Sequence, residues 1–253
     1  MINGKPLTTL YYYALRKELV FCGKSTFSKY AKAFGFKKIK KPKIPPRKGV
    51  KTSRVFEFLH VDITLVPTLE SGMQKVAFVK DNFSKAILHW GSVSEKANSE
   101  FITKLFKETF EKYNLYNKKA PINILTDGGS ENKGEFTRWV NDLKTPPLVS
   151  KITARTVDFP LSNNMSESIH RIYKTEFLKG QVSKDRKEHF KSLIAFVHYY
   201  NHIRYFGDLY GLSAMEVVNG KIPEKDYFRL QIAEAKKNRT TINKAFNRCN
   251  SLK

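Results

Sequence analysis

The spacing of hydrophobic residues between positions 55 and 157 alternates between the period of a strand and that of a helix. Apolar residues three and four apart predict helices over 99–113 and 134–143. Runs rich in β-branched and aromatic residues predict strands, which cover residues 55–66, 73–84, 85–93, 121–127 and 148–157. Three strands followed by alternating helices and strands predict a mixed α/β layer fold.

Helical spacing also extends to both sides of this region. It predicts a long helix from Asn164 to about Leu178 and an amphipathic helix over 189–203. Near the start of the chain it predicts two short helices over 7–19 and 25–36 that are separated at Gly23. A helix, a tight turn and a basic helix have the outline of a helix-turn-helix, and an ordinary helical hairpin is the alternative.

The chain is therefore predicted to divide in sequence order. A helical region with the helix-turn-helix outline comes first, and a basic linker, the α/β core and a basic tail predicted to be helical follow it. Their ranges are 1–36, 37–54, 55–222 and 223–253.

Charge is distributed unevenly along the 253 residues. The chain has 46 Lys and Arg against 23 Asp and Glu, a net charge of +23. Residues 1–54 have 15 basic side chains and one acidic one, residues 229–253 have seven and one, and the remainder has 24 and 21. A nearly neutral core between two basic arms predicts a polyanionic partner, most simply nucleic acid. The alternative is a basic surface that binds no polyanion.

The linker over 37–54 combines many basic residues with three prolines and no hydrophobic periodicity, so it is expected to be extended. A basic extended segment suits contact with a phosphate backbone, and a solvated spacer is the alternative. The candidate phosphate contacts in this segment are Lys40, Lys41, Arg47 and Lys48.

Two cysteines, Cys22 and Cys249, give no basis for a disulfide framework, and no Cys/His set has the spacing of a zinc site. We expect neither a signal peptide nor a membrane partner, because no apolar run is long enough to span a bilayer. The expected location is cytoplasmic, associated with the nucleoid in a bacterium.

Three carboxylates occupy positions that suit a metal-dependent site. Asp62 lies between apolar residues of a predicted strand, where burying a carboxylate is costly unless it is paired or binds a metal. Asp127 ends a strand and precedes two glycines, and Glu167 lies in the first turn of a helix. On a basic chain, three carboxylates suit two Mg²⁺ or Mn²⁺ ions acting on a phosphodiester.

Each carboxylate also has a purely structural alternative. Asp62 could hydrogen-bond a neighbouring strand, and Asp127 could form a turn with the following glycine. Glu167 could close a capping box with Asn164.

Several segments resemble motifs of one enzyme family. HVDIT carries Asp62, LTDGGSEN carries Asp127, and SNNMSESIHRIYKTEF carries Glu167 with Lys174 seven residues later. KDNFSKAILHW resembles the second and third strands of that family, and YYNHIRYFGDLYGLSAMEV resembles its closing segment. Together, residues 55–218 resemble the catalytic core of retroviral integrases and of bacterial insertion-sequence transposases.

The resemblance implies a ribonuclease-H-like mixed sheet flanked by helices, with Asp62, Asp127 and Glu167 as catalytic residues and metal ligands. It implies a Mg²⁺-dependent polynucleotidyl transferase that cleaves DNA, joins the 3′-hydroxyl to target DNA and works as a homo-oligomer on DNA ends. The interval between Asp127 and Glu167 is longer than in many relatives, and Glu176 is the rival for the third position. Two further functions remain open: a decayed transposase that acts as a DNA-binding repressor, and a ribonuclease-H-like nuclease.

Four residues outside the linker are candidates for DNA contact. Helical spacing places Arg171 and Lys174 on the face of Glu167, and an Arg171–Glu167 ion pair is the alternative at the first position. Asn132 would orient DNA or a metal-bound water, or form a loop hydrogen bond. Arg204 would bind phosphate or pair with Asp208.

Overall fold

The computed structural model describes residues 6–36, 50–143, 147–154, 164–226 and 228–250, and the side chains of 164–167 and 246–250 lie outside this description. The chain divides into two compact units. Unit 1 combines the segments 1–44, 204–213 and 220–253, and unit 2 combines 45–203 and 214–219. In this division both ends of the chain belong to the same unit, and the sequential division given above stays a prediction.

Unit 2 contains a five-stranded mixed sheet. Its strands are β1 (Phe58–Pro67), β2 (Met73–Asp81), β3 (Ile87–Val93), β4 (Ile122–Thr126) and β5 (Val149–Thr153). The spatial order is β3-β2-β1-β4-β5, in which β1 is antiparallel to β2 and parallel to β4. Consecutive residues of β1, from Leu59 to Val61, are all buried, which is typical of a central strand covered on both faces.

The helices of unit 2 are α3 (Ser99–Lys112), α4 (Glu135–Asp142), α5 (Asn164–Arg171), α6 (Arg186–His198) and α7 (Ala214–Val218). α3 packs on the sheet face of Gly91, where an added Cβ would lie 2.9 Å from a methyl carbon of Leu105. The opposite face carries Phe78, whose ring lies 6.0 Å from that of His170 and 5.8 Å from that of Phe196. Helices therefore cover both faces of the sheet, as the ribonuclease-H-like expectation requires.

The long helices predicted from residue 164 and residue 189 both end in a π-helical turn. Residues Ile172–Leu178 continue α5, and Tyr199–Ile203 continue α6. Within the second turn, Asn201 accepts a hydrogen bond from the Ile87 amide (2.9 Å) and donates one to the Ile87 carbonyl (2.8 Å). Asn201 thereby acts as the missing strand partner at the start of the edge strand β3.

The turn after β2 explains the KDNFS motif. Asp81 is fully buried, and it accepts hydrogen bonds from the Ser84 amide (2.7 Å), the Ser84 hydroxyl (2.6 Å) and the Phe56 amide (2.7 Å). Burial raises the pKa of Asp81, and these three hydrogen bonds act in the opposite direction. Asp81 therefore holds the β2–β3 turn rather than facing the site described below.

Unit 1 contains α1 (Leu7–Arg16), α2 (Lys24–Ala33) and α8 (Arg229–Asn250). Its small core consists of Tyr11, Leu15 and Phe228, with Tyr12, Phe27 and Ile232 packed against it. The helical N-terminal region is confirmed, but seven residues separate α1 from α2, more than the three or four of a helix-turn-helix turn. None of the described helices is both long and apolar enough to cross a membrane.

Gly211 occupies a position in unit 1 that only glycine can hold without strain. Its φ is +96°, and an added Cβ would lie 2.3 Å from the Tyr12 ring and 2.9 Å from the Phe228 ring. We expect Gly211→Ala to lower the free energy of unfolding by about 2–4 kcal/mol, because backbone strain adds to overpacking. Urea denaturation measures the effect; Gly220→Ala, also at positive φ but with open space around its Cβ, is the matched control. Equal losses in both variants would contradict the role given to the Tyr12 and Phe228 contacts.

Candidate active site

β1 and β4 lie side by side and parallel at the centre of the sheet. Their register pairs His60 with Leu125. Continued two residues beyond the last of these pairs, and one residue past the end of β4, this register would set Asp62 beside Asp127. Adjacent strands are ~4.8 Å apart, and matched residues of parallel strands point to the same sheet face. The strand that contains Asp62 and the strand that ends just before Asp127 are therefore neighbours in the fold.

The Asp127 carboxylate is fixed by the turn that follows it. Its Oδ1 accepts hydrogen bonds from the Gly129 amide (3.0 Å) and from the Asn132 side-chain amide (2.6 Å). Asn132 is 3% exposed, and its backbone carbonyl accepts a hydrogen bond from Lys151 on β5. Lys151 also donates to the Thr137 hydroxyl (2.7 Å). Asp127 thus forms the turn, and this role is compatible with its predicted role as a site residue, which stays a prediction.

The Asp62 carboxylate faces α5. Asp62 points to the same face of the sheet as Phe78, the residue opposite it on β2. Its Oδ1 accepts a hydrogen bond from the Ile63 amide (2.9 Å). Its Oδ2 lies 3.7 Å from Nδ1 of His170, whose side chain is 12% exposed. Burial and the positive charges of Lys174 and Lys80 lower the pKa of His170 to about 4, against a hydrogen bond with the backbone of Asp62 that raises it. His170 is therefore neutral at physiological pH.

A buried lysine, Lys80, lies on the same face of the sheet as Asp62. Lys80 pairs with His60 in the β1–β2 register, is 2% exposed, and places its ammonium nitrogen 5.5 Å from the Tyr200 ring centroid. Its charge acts on His170, as the lowered pKa of that histidine reflects. The site thus combines acidic side chains with nearby positive charge.

The third predicted acid, Glu167, belongs to α5 by its backbone, one turn before His170. Its side chain lies outside the described residues, so its role as a ligand stays a prediction. Residues three apart share one helix face, and His170 contacts Asp62, so position 167 lies on the helix face turned toward this site. The rival Glu176 lies two turns later, in the π-helical turn.

The remaining candidate contacts fall in different places. Arg171 and Lys174 are exposed, but Lys174 lies in the π-helical turn, which alters the 3.6-residue spacing used to align it with Glu167. Asn132 is buried against Asp127, which favours the loop hydrogen bond over a DNA contact. Arg204 belongs to unit 1, with its guanidinium carbon 5.4 Å from the Phe206 ring centroid. Lys40, Lys41, Arg47 and Lys48 lie outside the described residues.

Sequence reasoning missed three residues around the aspartates: His170, Lys151 and Lys80. His170 was detectable from its spacing, since it is three residues after Glu167 on the same helix. Lys80 and Lys151 gave no such signal, because a lysine in a strand is ordinarily exposed and only the packed structure shows them to be partly or fully buried.

Among the described side chains, no group of three or more His, Cys, Asp or Glu residues is close enough to hold a metal ion. Glu167 is not among those side chains, so Asp62 and Asp127 provide two of the three predicted donors. Carboxylate oxygens are hard ligands, and Asp127 is held in one orientation by two hydrogen bonds. This donor set fits a hard cation such as Mg²⁺ or Mn²⁺.

Comparison with known proteins gives one family match. Residues 167–219 match the model of the integrase core domain family, and this segment begins at Glu167 and ends just beyond α7. Among curated proteins, none matches the sequence of this chain.

Two solved structures are similar to this chain, and the first of them has a TM-score high enough to show a shared fold. A chain of the simian T-cell lymphotropic virus intasome, solved by cryoEM in complex with the PP2A regulatory subunit B56 gamma, has 14% identity and a TM-score of 0.54. The match covers 80% of this chain and 74% of that one. The catalytic core domain of BIV integrase has 13% identity and a TM-score of 0.45 over 65% of this chain and 95% of its own. The family match and the fold together show a chain similar to the catalytic cores of integrases and transposases.

Proposed function

We propose that this protein is a DNA recombinase of the transposase and integrase kind, which cleaves a DNA phosphodiester and joins the freed 3′-hydroxyl to target DNA. The observation that carries the proposal is the parallel pairing of β1, which contains Asp62, with β4, which ends just before Asp127. The two aspartates are 65 positions apart in the chain. The match of residues 167–219 to the integrase core family supports it independently.

Three carboxylates would hold the metal: Asp62, Asp127 and Glu167. Bound Mg²⁺ or Mn²⁺ would supply Lewis-acid stabilisation of the scissile phosphate and a lowered pKa for the attacking water or hydroxyl. The Gly129 and Asn132 hydrogen bonds hold the Asp127 carboxylate in place, so little reorganisation is needed on binding. The exposed Arg171 and Lys174 are available to a DNA phosphate beside the carboxylates.

The expected DNA-bound form is a homo-oligomer. Strand transfer joins two DNA ends to one target, and this requires active sites on more than one end. Sedimentation of the chain with and without element-end duplexes tests this expectation, and a monomer in both conditions would contradict it.

The test of the proposed function separates cleavage from joining. End-labelled duplexes are incubated with the protein and Mg²⁺ or Mn²⁺, and EDTA provides the control. Metal-dependent cleavage followed by longer joined products supports a recombinase. Cleavage without joined products would assign a ribonuclease-H-like nuclease instead, and binding without cleavage would assign the decayed-transposase repressor.

His170 offers a separate test of how Asp62 is held in position, because it bonds the Asp62 backbone and its Nδ1 lies 3.7 Å from the Asp62 carboxylate. With its imidazole neutral and Nδ1 facing Asp62, the residue acts as a positioning group. Removing such a supporting contact lowers metal affinity or activity about 10- to 100-fold. We expect that loss for His170→Leu, in both cleavage rate and Mn²⁺ affinity by calorimetry.

The matched variant is His170→Asn, because an asparagine amide places an N–H close to the position of Nδ1. It is expected to restore most of the Mn²⁺ affinity and rate. If leucine and asparagine at position 170 give the same rate and the same Mn²⁺ affinity, the positioning role is wrong and His170 is a packing residue.

A further inference from the structure

Both ends of the chain build unit 1. Phe228, just before α8, packs on Tyr11 and Leu15 of α1, and its ring lies 6.2 Å from that of Tyr12. Ile232 of α8 adjoins the same cluster. Further along α8, the Arg239 guanidinium donates a hydrogen bond to the Phe21 carbonyl (3.4 Å). The two N-terminal helices therefore gain their third helix from the C-terminal segment.

One side of α8 accounts for these contacts. Ile232 and Ala235 are its two half-buried described side chains, three residues apart, and Arg239 and Ile242 continue their stripe at helical spacing. Gln231, Asn238 and Ile242 line a cavity of about 470 Å³ between α8 and the segment around Phe21. The opposite side of α8 faces away from the core of unit 1.

The outward side of α8 is mostly basic and polar, and Leu230 is an exposed apolar side chain on it. Positions about one turn apart there carry basic, hydroxyl or very small side chains, all exposed: Arg229, Ala233, Lys236, Lys237, Thr240, Thr241 and Lys244. The acidic residue of the helix, Glu234, is exposed and lines the cavity, at the edge of the outward side next to Thr241. Three lysines over nine residues with no acid among them give this side a concentrated positive charge.

We propose that the outward side of α8 is a binding surface for duplex DNA, and that unit 1 is a DNA-binding module assembled from the two ends of the chain. The proposal rests on the proposed function only in taking DNA as the natural polyanion. An extended basic helix side fits a row of phosphates by charge, and lysines along it would release counterions from the duplex.

The dimensions and side chains agree with this partner. The 22 residues of α8 span ~33 Å at 1.5 Å per residue, and the major groove admits an α-helix. The short side chains of Ala233, Thr240 and Thr241 leave room for the DNA backbone to come close to the helix. The exposed Lys24, Lys29 and Lys32 of α2 add positive charge to the same unit.

The test compares three lysines of α8 with three lysines elsewhere. Lys236, Lys237 and Lys244 are changed together to Gln in the full chain. The control changes Lys107, Lys187 and Lys191, exposed on α3 and α6, to Gln, so that both variants lose the same charge. Binding to a fluorescent 30-base-pair duplex is followed by anisotropy in EDTA over a range of salt concentrations.

We expect the α8 variant to bind at least tenfold more weakly than the wild type at low salt. The slope of log K against log salt should fall by up to about 2.7, because each lost phosphate contact removes about 0.9. The control should lose less than threefold. A triple Lys→Arg variant of α8 should retain affinity, and unchanged circular dichroism of all variants confirms that they fold.

Equal losses in the α8 and control variants, or an α8 variant that binds duplex as the wild type does, would overturn the proposal. If the α8 variant binds duplex as the wild type does, the basic side of α8 would instead be assigned to an acidic protein partner. Because binding is measured without metal, a wild type that binds through α8 but never cleaves with Mg²⁺ refutes the proposed function and not this inference. A wild type that binds no duplex refutes both.

Discussion

Asp127→Asn is expected to reduce metal-dependent DNA cleavage by about 10³-fold or more while leaving DNA affinity unchanged within about twofold. The substitution removes a negative charge where several kcal/mol of charge stabilisation is needed, and about 4 kcal/mol corresponds to that factor in rate. The local fold should survive, because an asparagine oxygen still accepts the hydrogen bonds of the Gly129 amide and the Asn132 side chain. Cleavage of an end-labelled duplex in Mn²⁺ and anisotropy in EDTA measure the two quantities.

Asp142→Asn is the matched control for this change. Asp142 ends α4 and is exposed, so the same loss of charge occurs at a surface position of the same unit. Its cleavage rate should equal that of the wild type. Undiminished cleavage by the Asp127 variant would refute the assignment of the site, whereas equal losses in both variants would point to a general effect of net charge on DNA binding.

Asn201→Leu is expected to lower the free energy of unfolding by about 2–4 kcal/mol. Asn201 is 5% exposed and satisfies both the amide and the carbonyl of Ile87. Each buried backbone group left without a partner costs about 1–3 kcal/mol, and leucine keeps a similar volume but offers no hydrogen bond. The midpoint of urea unfolding, followed by circular dichroism, measures the loss.

The control for this prediction is Asn141→Leu, since Asn141 is exposed on α4. Its free energy of unfolding should stay within about 0.5 kcal/mol of that of the wild type. A small loss for Asn201→Leu would mean that water replaces the asparagine at the edge of β3. In that case the hydrogen bonds with Ile87 do not explain why an asparagine stands at position 201.

Acid should destabilise the protein through His189. This histidine is fully buried against the Ser92 hydroxyl (3.1 Å), and burial, with the nearby Arg186 charge, lowers its pKa. Its folded-state pKa lies below the unfolded value of 6.5, so the unfolded chain binds the proton more readily. The stability that His189 contributes is therefore present above pH 6.5 and is lost as the pH falls below that value. His189→Gln should flatten this part of a plot of unfolding midpoint against pH, and an unaltered plot would contradict the assignment.

The sequence alone determined the order of strands and helices in unit 2, because the hydrophobic period is a local property of the chain. It also selected Asp62 and Asp127, because each carboxylate stands in a context that is unusual for an acid: inside an apolar strand, or at the end of one before two glycines. The same local information could not tell a turn-forming aspartate from a site residue, and the structure shows that Asp127 forms the turn.

Which distant residues meet depends on the packing of the folded chain. The parallel pairing of β1 with β4 joins the strand of Asp62 to the strand that precedes Asp127, and the packing of α5 on β1 brings His170 to Asp62, since both depend on contacts across the chain rather than on neighbouring residues. The same reason explains unit 1. Nothing local in α1 or α2 indicates that α8 completes their core, because the contact of Phe228 with Tyr11 and Leu15 joins segments more than 200 residues apart.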